Sequence, residues 1–320
     1  MSQDQRPLCP SAQPWRSMGL MAVVVPASLD VSAAARARGF VALTKPRIIE
    51  LLLVTTIPTM FVAERGLPRV TLMVATLIGG TLAAGGANAI NMVVDRDIDS
   101  IMRRTRNRPL VTGLISPTQA LVFAVGLEVA AFAELWATVN LLSALLAVSA
   151  TAFYVFVYTM WLKRTSKQNI VVGGAAGAVP VLVGWAAVRG SIGLAPVVLF
   201  ALMFLWTPPH FWALAIRYRD DYRSVEVPML PAVASIEKTT AQILFYTVLV
   251  VVASAAFGLA AGLGPLYWSA AALGGAAFVL LAARLWRRPS EQSAMTLFHW
   301  SISYVTVLFV AMAVDVLVFH

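Results

Sequence analysis

The sequence predicts an all-α polytopic membrane protein with nine transmembrane helices, its N-terminus in the cytoplasm and its C-terminus outside. Three observations predict it. Of the 320 residues, 59% are hydrophobic and 12% are charged, against about 25% charged in a soluble domain, and the mean hydropathy is +0.80. The apolar residues gather into nine runs, most of them near the roughly 20 residues a helix needs to cross a bilayer. The basic residues concentrate in alternate connections, the pattern of the positive-inside rule.

Residues 1–39 are of another kind. They carry Pro7, Pro10, Pro14 and Pro26, scattered charges and one apolar run, Gly19–Ala27, which is too short to span. A signal peptide would show a clear cleavage site and mature domain after that run, but Arg36 and Arg38 follow it. Asp4 and Asp30 weigh against a mitochondrial transit segment. The segment is expected to be a disordered cytoplasmic tail, with residues 40–320 forming the transmembrane domain.

The runs are Ile48–Ala63, Val70–Val94, Pro117–Ala137, Leu141–Leu162, Ile170–Val188, Ala195–Ile216, Ala241–Leu263, Leu266–Leu285 and Met295–Phe319. Lys45 and Arg47, the arginines from Arg96 to Arg108, Lys163, Arg164 and Lys167, the segment Arg217–Lys238, and Arg284–Arg288 fall on one side. Only Arg65, Arg69 and Arg189 fall on the other. The long polar loops are therefore expected to be cytoplasmic, and the chemistry with them. The net charge of +9 is explained by this sidedness. Nucleic-acid binding would need a basic face that the chain lacks. The single cysteine, Cys9, excludes an internal disulfide framework and a cysteine-based metal site. No Gly-rich phosphate loop, Ser/His/Asp set or zinc spacing is present.

The second run ends in the most charged stretch of the chain, Gly85–Gly113, which holds Asp95, Asp97, Asp99 and five arginines. On a continuing helix, four-residue steps advance about 40° each, so Asn91, Asp95 and Asp99 share one face, with Asn88 inside the same arc. Asp97 points to nearly the opposite side and is expected to be a bystander. Two carboxylates and two amides converging at a membrane surface suit a divalent cation. The arginines just beyond suit phosphate oxygens, for which the guanidinium fork is shaped. The plainer alternative is a helix end meeting a positive-inside loop.

A second polar break, Thr207–Pro231, follows the sixth run and hints at internal repetition, a pointer to a site between two halves. There His210 follows Pro208 and Pro209, a pair expected to break or kink the helix. An ionisable group within a span is a functional candidate, set against a histidine bonded to a neighbouring helix. Asp220 and Asp221 could complete a cation site or stand as loop acids balanced by Arg217, Arg219 and Arg223. Lys45 and Arg47 could bind phosphate or anchor the first span. Lys163 and Arg164 are similar, and Tyr158 lies about a turn before them, so an anion could be held between helices. Glu128, Glu134, Asp315 and His299 are expected to be structural or interfacial. Gly173, Gly174 and Gly177 allow close helix packing.

Asn91-x-x-x-Asp95-x-x-x-Asp99 after the second apolar span resembles the first aspartate motif of the UbiA-type intramembrane prenyltransferases. Within that superfamily the chain is similar to the protohaem IX farnesyltransferases. The stretches that carry this are Leu43–Ile48 (LTKPRI), Asn91–Leu110, Tyr158–Pro180, Trp206–Ala215 (WTPPHFWALA) and Asp220–Pro231, which ends in PMLP. The likeness runs from about Val41 to the C-terminus. It implies nine helices around a central cavity in a bacterial inner membrane, with the active site on the cytoplasmic side. It also implies transfer of the farnesyl group of farnesyl diphosphate to the 2-vinyl group of protohaem IX, giving haem O.

By the same resemblance Asn91, Asp95 and Asp99 would hold Mg²⁺, with Asp95, Asp99 and His210 central to catalysis. Lys45, Arg47, Arg104, Arg108, Tyr158, Lys163 and Arg164 would bind the diphosphate, and Asn88, Asp220 and Asp221 would line a polar cavity. His210 would contact the porphyrin, at iron or a propionate, or orient the captured water. Haem A synthase or cytochrome oxidase assembly factors would be partners within the lipid bilayer. The chain departs from many relatives at the second aspartate motif, where it has His210 and adjacent Asp220–Asp221 rather than carboxylates at four-residue spacing. The alternatives are a UbiA-type enzyme with an aromatic or quinone-precursor acceptor, which should show a fuller second motif, and a secondary transporter, which needs access from both sides.

Overall fold

The computed structural model describes residues 32–319, with the side chains of all but 47–53. The run Gly19–Ala27, most of the expected tail and the Arg47 side chain lie outside the described residues. Residues 33–39, expected to belong to that tail, instead begin helix α1 (Ala33–Thr44), which Ser32 caps by accepting from the Ala35 N–H. The alternation of alanine and arginine in this stretch is strongly helix-forming, which the proline-rich residues before it concealed.

The chain continues through α2 (Pro46–Glu64), α3 (Val70–Val94), short α4 (Arg96–Ile101), α5 (Pro117–Thr138) and α6 (Leu141–Ala152). The helix of α6 runs on as a π-helical stretch, Phe153–Leu162, and a last turn, α7 (Lys163–Thr165). Then come α8 (Asn169–Arg189), α9 (Leu194–Arg217), the short α10 (Arg219–Ser224) and α11 (Leu230–Val233), α12 (Ile236–Ala261), α13 (Pro265–Arg287) and α14 (Glu291–Phe319). Among the described residues, eight helices are long and apolar enough to cross a membrane: α3, α5, the continuous Leu141–Thr165, α8, α9, α12, α13 and α14. The first apolar run lies in α2, part of whose side chains are outside the described residues.

Local chemistry sets the helix ends. Ser116 and Gln119 close a capping box at the start of α5, with Pro117 at the first helical position. Asn140 and Ser235 cap α6 and α12 through their side chains. Asp315, expected to be structural, reaches from α14 to accept from the backbone N–H groups of Gly264, Leu266 and Tyr267. It thereby satisfies the donors at the start of α13. The Pro208–Pro209 pair does not interrupt α9, which runs to Arg217. Both prolines are buried, the setting in which a membrane helix tolerates freed carbonyls.

The helices close into a bundle. α3 packs on α5, α5 on α6, α6 on α8, and α8 on both α2 and α9; α9 packs on α12 and α14, α12 on α13, α13 on α14, and α14 on α2. The largest apolar cluster fills the α8, α9, α12, α13 and α14 half, around Trp206, Trp212, Phe257, Tyr267, Phe278 and Phe309. A smaller one, Leu43, Ala89, Met92, Leu110, Ile115, Ala120 and Ala124, pins α1 and the loop after α4 to α3 and α5. The α3–α5 contact is close because α3 carries small residues. A Cβ built on Gly86 would lie 2.5 Å from Glu128 Oε1 and 3.0 Å from the Ala124 carbonyl oxygen. Large apolar side chains such as Val122, Leu259, Leu273 and Leu280 are exposed on the outside, as a lipid-facing surface requires.

Candidate active site

One cavity of about 410 Å³ lies between the two halves of the bundle, within the size range of small-molecule sites. One end of its wall is polar, with Lys45, Asn88, Asn91, Asp99, Arg104, Arg108 and Lys163. The rest is mostly apolar or aromatic, with Leu77, Ala84, Tyr154, Tyr158, Met203 and Trp206 among the lining side chains and a few threonines such as Thr81 and Thr207 between them.

The polar end is built from the α3–α4 junction. α3 ends at Val94, but the helical hydrogen bonds continue through the junction: the Asp95 N–H donates to the Asn91 carbonyl at 2.9 Å, and the Asp99 N–H donates to the Asp95 carbonyl at 2.9 Å. The four-residue spacing therefore keeps its common face. Asn88, Asn91, Asp95 and Asp99 are all buried, whereas the Asp97 side chain on the far side is 62% exposed.

Each of these groups meets a cation or an amide. Lys45 Nζ donates to Asn91 Oδ1 at 2.9 Å. Asn91 Nδ2 donates to Asp95 Oδ2 at 2.7 Å and to Thr159 Oγ1 at 3.2 Å. Lys163 Nζ also donates to Asp95 Oδ2. Arg108 Nη1 donates to Asp99 Oδ2 at 2.5 Å, and Asn88 Nδ2 donates to the Thr44 carbonyl at 3.1 Å. Lys45 links α1 to α2 in a left-handed conformation, φ 52, rare for a residue with a side chain and common at sites where function dictates geometry. Burial, aided by the neighbouring charges of Arg108 and Lys163, lowers its ammonium to about 7.

The aromatic wall comes from the π-helical stretch. Tyr154 and Tyr158 stack at 5.4 Å and both line the cavity. Gly173 of α8 makes room for them, since a Cβ there would lie 2.2 Å from Tyr158 Cδ2. At the mouth Arg104 stands 5.3 Å from the Tyr218 ring centroid. Tyr222 lines the cavity with its hydroxyl pKa raised by burial.

The structure brings together most of the residues singled out from sequence and separates the others. Asn88, Asn91, Asp99, Lys45, Arg104, Arg108, Tyr158 and Lys163 share the cavity wall, and Asp95 lies fully buried behind it. Arg164 is turned away: Nη1 and Nη2 each donate to Asp97 at 2.7 Å, and Nη2 also donates to the Val94 carbonyl at 3.0 Å. That guanidinium holds the Asp97 carboxyl at about 2. Asp220 is 89% exposed and pairs loosely with Arg219 and Arg223 at 3.9 and 3.7 Å. Neither Asp220 nor Asp221 lines the cavity; Tyr222 beside them does.

His210 does not line it either. Its ring is sandwiched between Trp206 at 4.2 Å and Phe298 at 4.7 Å, with Nδ1 2.8 Å from Ser301 Oγ. The Ser301 hydroxyl gives its only proton to the Phe298 carbonyl at 2.6 Å, so Nδ1 must be the donor to it. The Trp206 indole N–H donates to the Ser301 carbonyl at 2.9 Å. His210 thus backs Trp206, which faces the cavity. Sequence reasoning missed Tyr154, Thr159 and Tyr222; for Tyr154 a signal existed, its four-residue spacing from Tyr158.

A divalent cation fits this donor set. Asp95 Oδ1 is buried and has no hydrogen-bond partner among the described residues. Asp99 and the Asn91 amide oxygen lie on the same face. Among the described residues no three histidine, cysteine, aspartate or glutamate side chains form a complete cage. A cation held by Asp95, Asp99 and Asn91 would complete its shell with substrate phosphates and water, as Mg²⁺ commonly does.

The profile of the UbiA prenyltransferase family matches residues 52–302. A protein named protoheme IX farnesyltransferase from Frankia casuarinae is 53% identical, over 89% of this chain and 99% of its own. Two solved structures share the architecture. One is the apo structure of a UbiA homolog from Aeropyrum pernix K1, with a TM-score of 0.70 at 22% identity, over 84% of this chain and 99% of that one. The other is a UbiA homolog from Archaeoglobus fulgidus bound to GPP and Mg²⁺, with a TM-score of 0.58 at 14% identity, over 86% of this chain and 99% of that one.

Proposed function

This chain belongs to the UbiA prenyltransferase family, and from that premise we propose that it transfers the farnesyl group of farnesyl diphosphate to the 2-vinyl group of protohaem IX, giving haem O and diphosphate. The observation that carries the reaction type is the polarity of one cavity, cationic and carboxylate-bearing at one end, mostly apolar and aromatic over the rest. The acceptor is supported by the name of the relative with which the chain shares half its residues. The transporter alternative falls with the family membership.

Lys45, Arg104, Arg108 and Lys163 bind the diphosphate oxygens by charge-assisted hydrogen bonds. Asn91, Asp95 and Asp99 would hold Mg²⁺, which when bound acts as a Lewis acid on the leaving diphosphate. That metal is supported by the donor set and by the Archaeoglobus relative with GPP and Mg²⁺. As the C–O bond ionises, negative charge grows on the diphosphate, and the fixed cations stabilise it more in the transition state than in the ground state. The allylic cation left behind faces Tyr154, Tyr158 and Trp206, whose ring faces attract positive charge. The apolar wall excludes water until the haem vinyl group attacks; water then captures the new carbocation and, with loss of one proton to solvent, gives the hydroxyethylfarnesyl side chain.

His210 acts as a positioning residue, holding Trp206 against the cavity. The distribution of basic loops supports nine spans with this chemistry at the cytoplasmic face of a bacterial inner membrane. The test is direct: detergent-purified protein with Mg²⁺, farnesyl diphosphate and haem b should form haem O, identified by chromatography and mass.

A further inference from the structure

Asp97 has no place in the cavity, yet it is tied to the metal-binding carboxylate through one guanidinium. Arg164, in α7, makes a two-pronged contact with Asp97 and caps the end of α3 at the Val94 carbonyl. The same Nη2 stands 3.8 Å from Asp95 Oδ1, too far for a hydrogen bond. That oxygen is the one on Asp95 with no hydrogen-bond partner among the described residues, while Oδ2 is taken by Lys163 and Asn91. Arg164 and that oxygen therefore form a long ion pair with no hydrogen bond. A buried bare carboxylate oxygen should draw the guanidinium into hydrogen-bond range unless the arginine is held elsewhere.

We infer that Asp97 is a positioning residue that keeps Arg164 out of hydrogen-bond range of Asp95 and so leaves Asp95 Oδ1 unbonded, able to turn to the divalent cation. Two bonds of 2.7 Å to Asp97 outcompete the more distant Asp95 oxygen. Without Asp97, the guanidinium needs to move only about 1 Å for Nη2 to reach hydrogen-bond distance of that oxygen. A second cation would then sit on Asp95, and a metal ion would have to displace it. The inference rests on the assignment of Asp95 as a metal ligand.

The experiment measures binding of Mn²⁺ to the detergent-purified full chain with inorganic diphosphate present, by electron paramagnetic resonance, so that no turnover is involved. Asp97→Ala should weaken Mn²⁺ binding by about tenfold or more, the usual effect of removing a group that orients a metal ligand. The conservative Asp97→Asn variant should weaken it less, because its amide oxygen still accepts one guanidinium N–H. Adding Arg164→Gln to Asp97→Ala should restore binding, since the competing cation is gone. A merely structural role for Asp97 would leave the double variant as weak as the single one, and that result overturns the inference. So does unchanged binding in Asp97→Ala while Asp95→Ala abolishes it. If Asp95→Ala also binds normally, the metal assignment fails and takes this inference with it.

Discussion

Lys163 rests on Asp95 Oδ2 while its own side chain lines the cavity. One buried ion pair therefore joins the carboxylate expected to hold metal to a cation expected to hold diphosphate. Arg108 and Asp99 repeat the arrangement. Without substrate the charges of the site compensate one another, which lowers the cost of keeping them buried. Substrate bringing Mg²⁺ and diphosphate together offers each side a new partner of matching charge.

Asp95→Ala is expected to abolish turnover, with activity down at least about a hundredfold, the scale on which one stabilising group contributes. It also strands Lys163 in a buried wall, so the thermal midpoint in detergent should fall; breaking a buried pair by removing one partner costs about 3–5 kcal/mol. Membrane insertion, read from the yield in the membrane fraction, should persist. Chelation of divalent cations should silence the unaltered enzyme reversibly.

Arg108→Ala should raise the KM for farnesyl diphosphate and also lower kcat, because Arg108 lines the cavity at the end proposed to hold the diphosphate both on binding and as its charge grows. Arg108→Lys should recover part of the loss but not all, as a lysine cannot present the planar fork. Steady-state kinetics with varied farnesyl diphosphate checks this, and an unchanged KM would contradict the role.

Most of this site was legible in the sequence because it is local. Asn88, Asn91, Asp95 and Asp99 follow helical spacing, and the hydrogen bonds across the α3–α4 junction preserve it. The apolar runs behind the eight membrane-length helices of the described residues were legible for the same reason, since hydropathy depends on neighbours in the chain. What was not legible depends on contacts between distant elements. Arg164 and Lys163 are adjacent in sequence, yet one turns to Asp97 outside the wall and the other to Asp95 behind it. His210 looked like a cavity residue until Trp206, Phe298 and Ser301 enclosed it. The four-residue spacing of Tyr154 and Tyr158 hints at a shared face, but the π-helical stretch that carries them, and its meeting with Gly173 of α8, was not legible.

Gly173→Ala should displace the Tyr158 ring, which lies 2.2 Å from where the new Cβ would stand. Overpacking of this kind typically costs about 1–3 kcal/mol, and the stack with Tyr154 would shift with it. Turnover should fall, while Gly126→Ala on the exposed face of α5, where a Cβ would meet nothing within 4 Å, should be mild. Comparing kcat for the two variants checks the close-approach argument.

Ser301→Ala removes the acceptor of the His210 Nδ1 proton. A buried donor left unsatisfied costs about 1–3 kcal/mol, so the thermal midpoint should drop. Because His210 supports Trp206 rather than the diphosphate end, the KM for farnesyl diphosphate should stay near its original value. A large rise in that KM would place His210 in a different role.

The central claim is the pairing of this donor with this acceptor. It is tested most directly by giving the purified protein Mg²⁺ and farnesyl diphosphate with haem b and an aromatic acid such as hydroxybenzoate in the same reaction, and separating the products by mass. The expected result is haem O as the farnesylated product, absent when Asp95 is replaced by alanine. A farnesylated aromatic acid with no haem O would contradict the account.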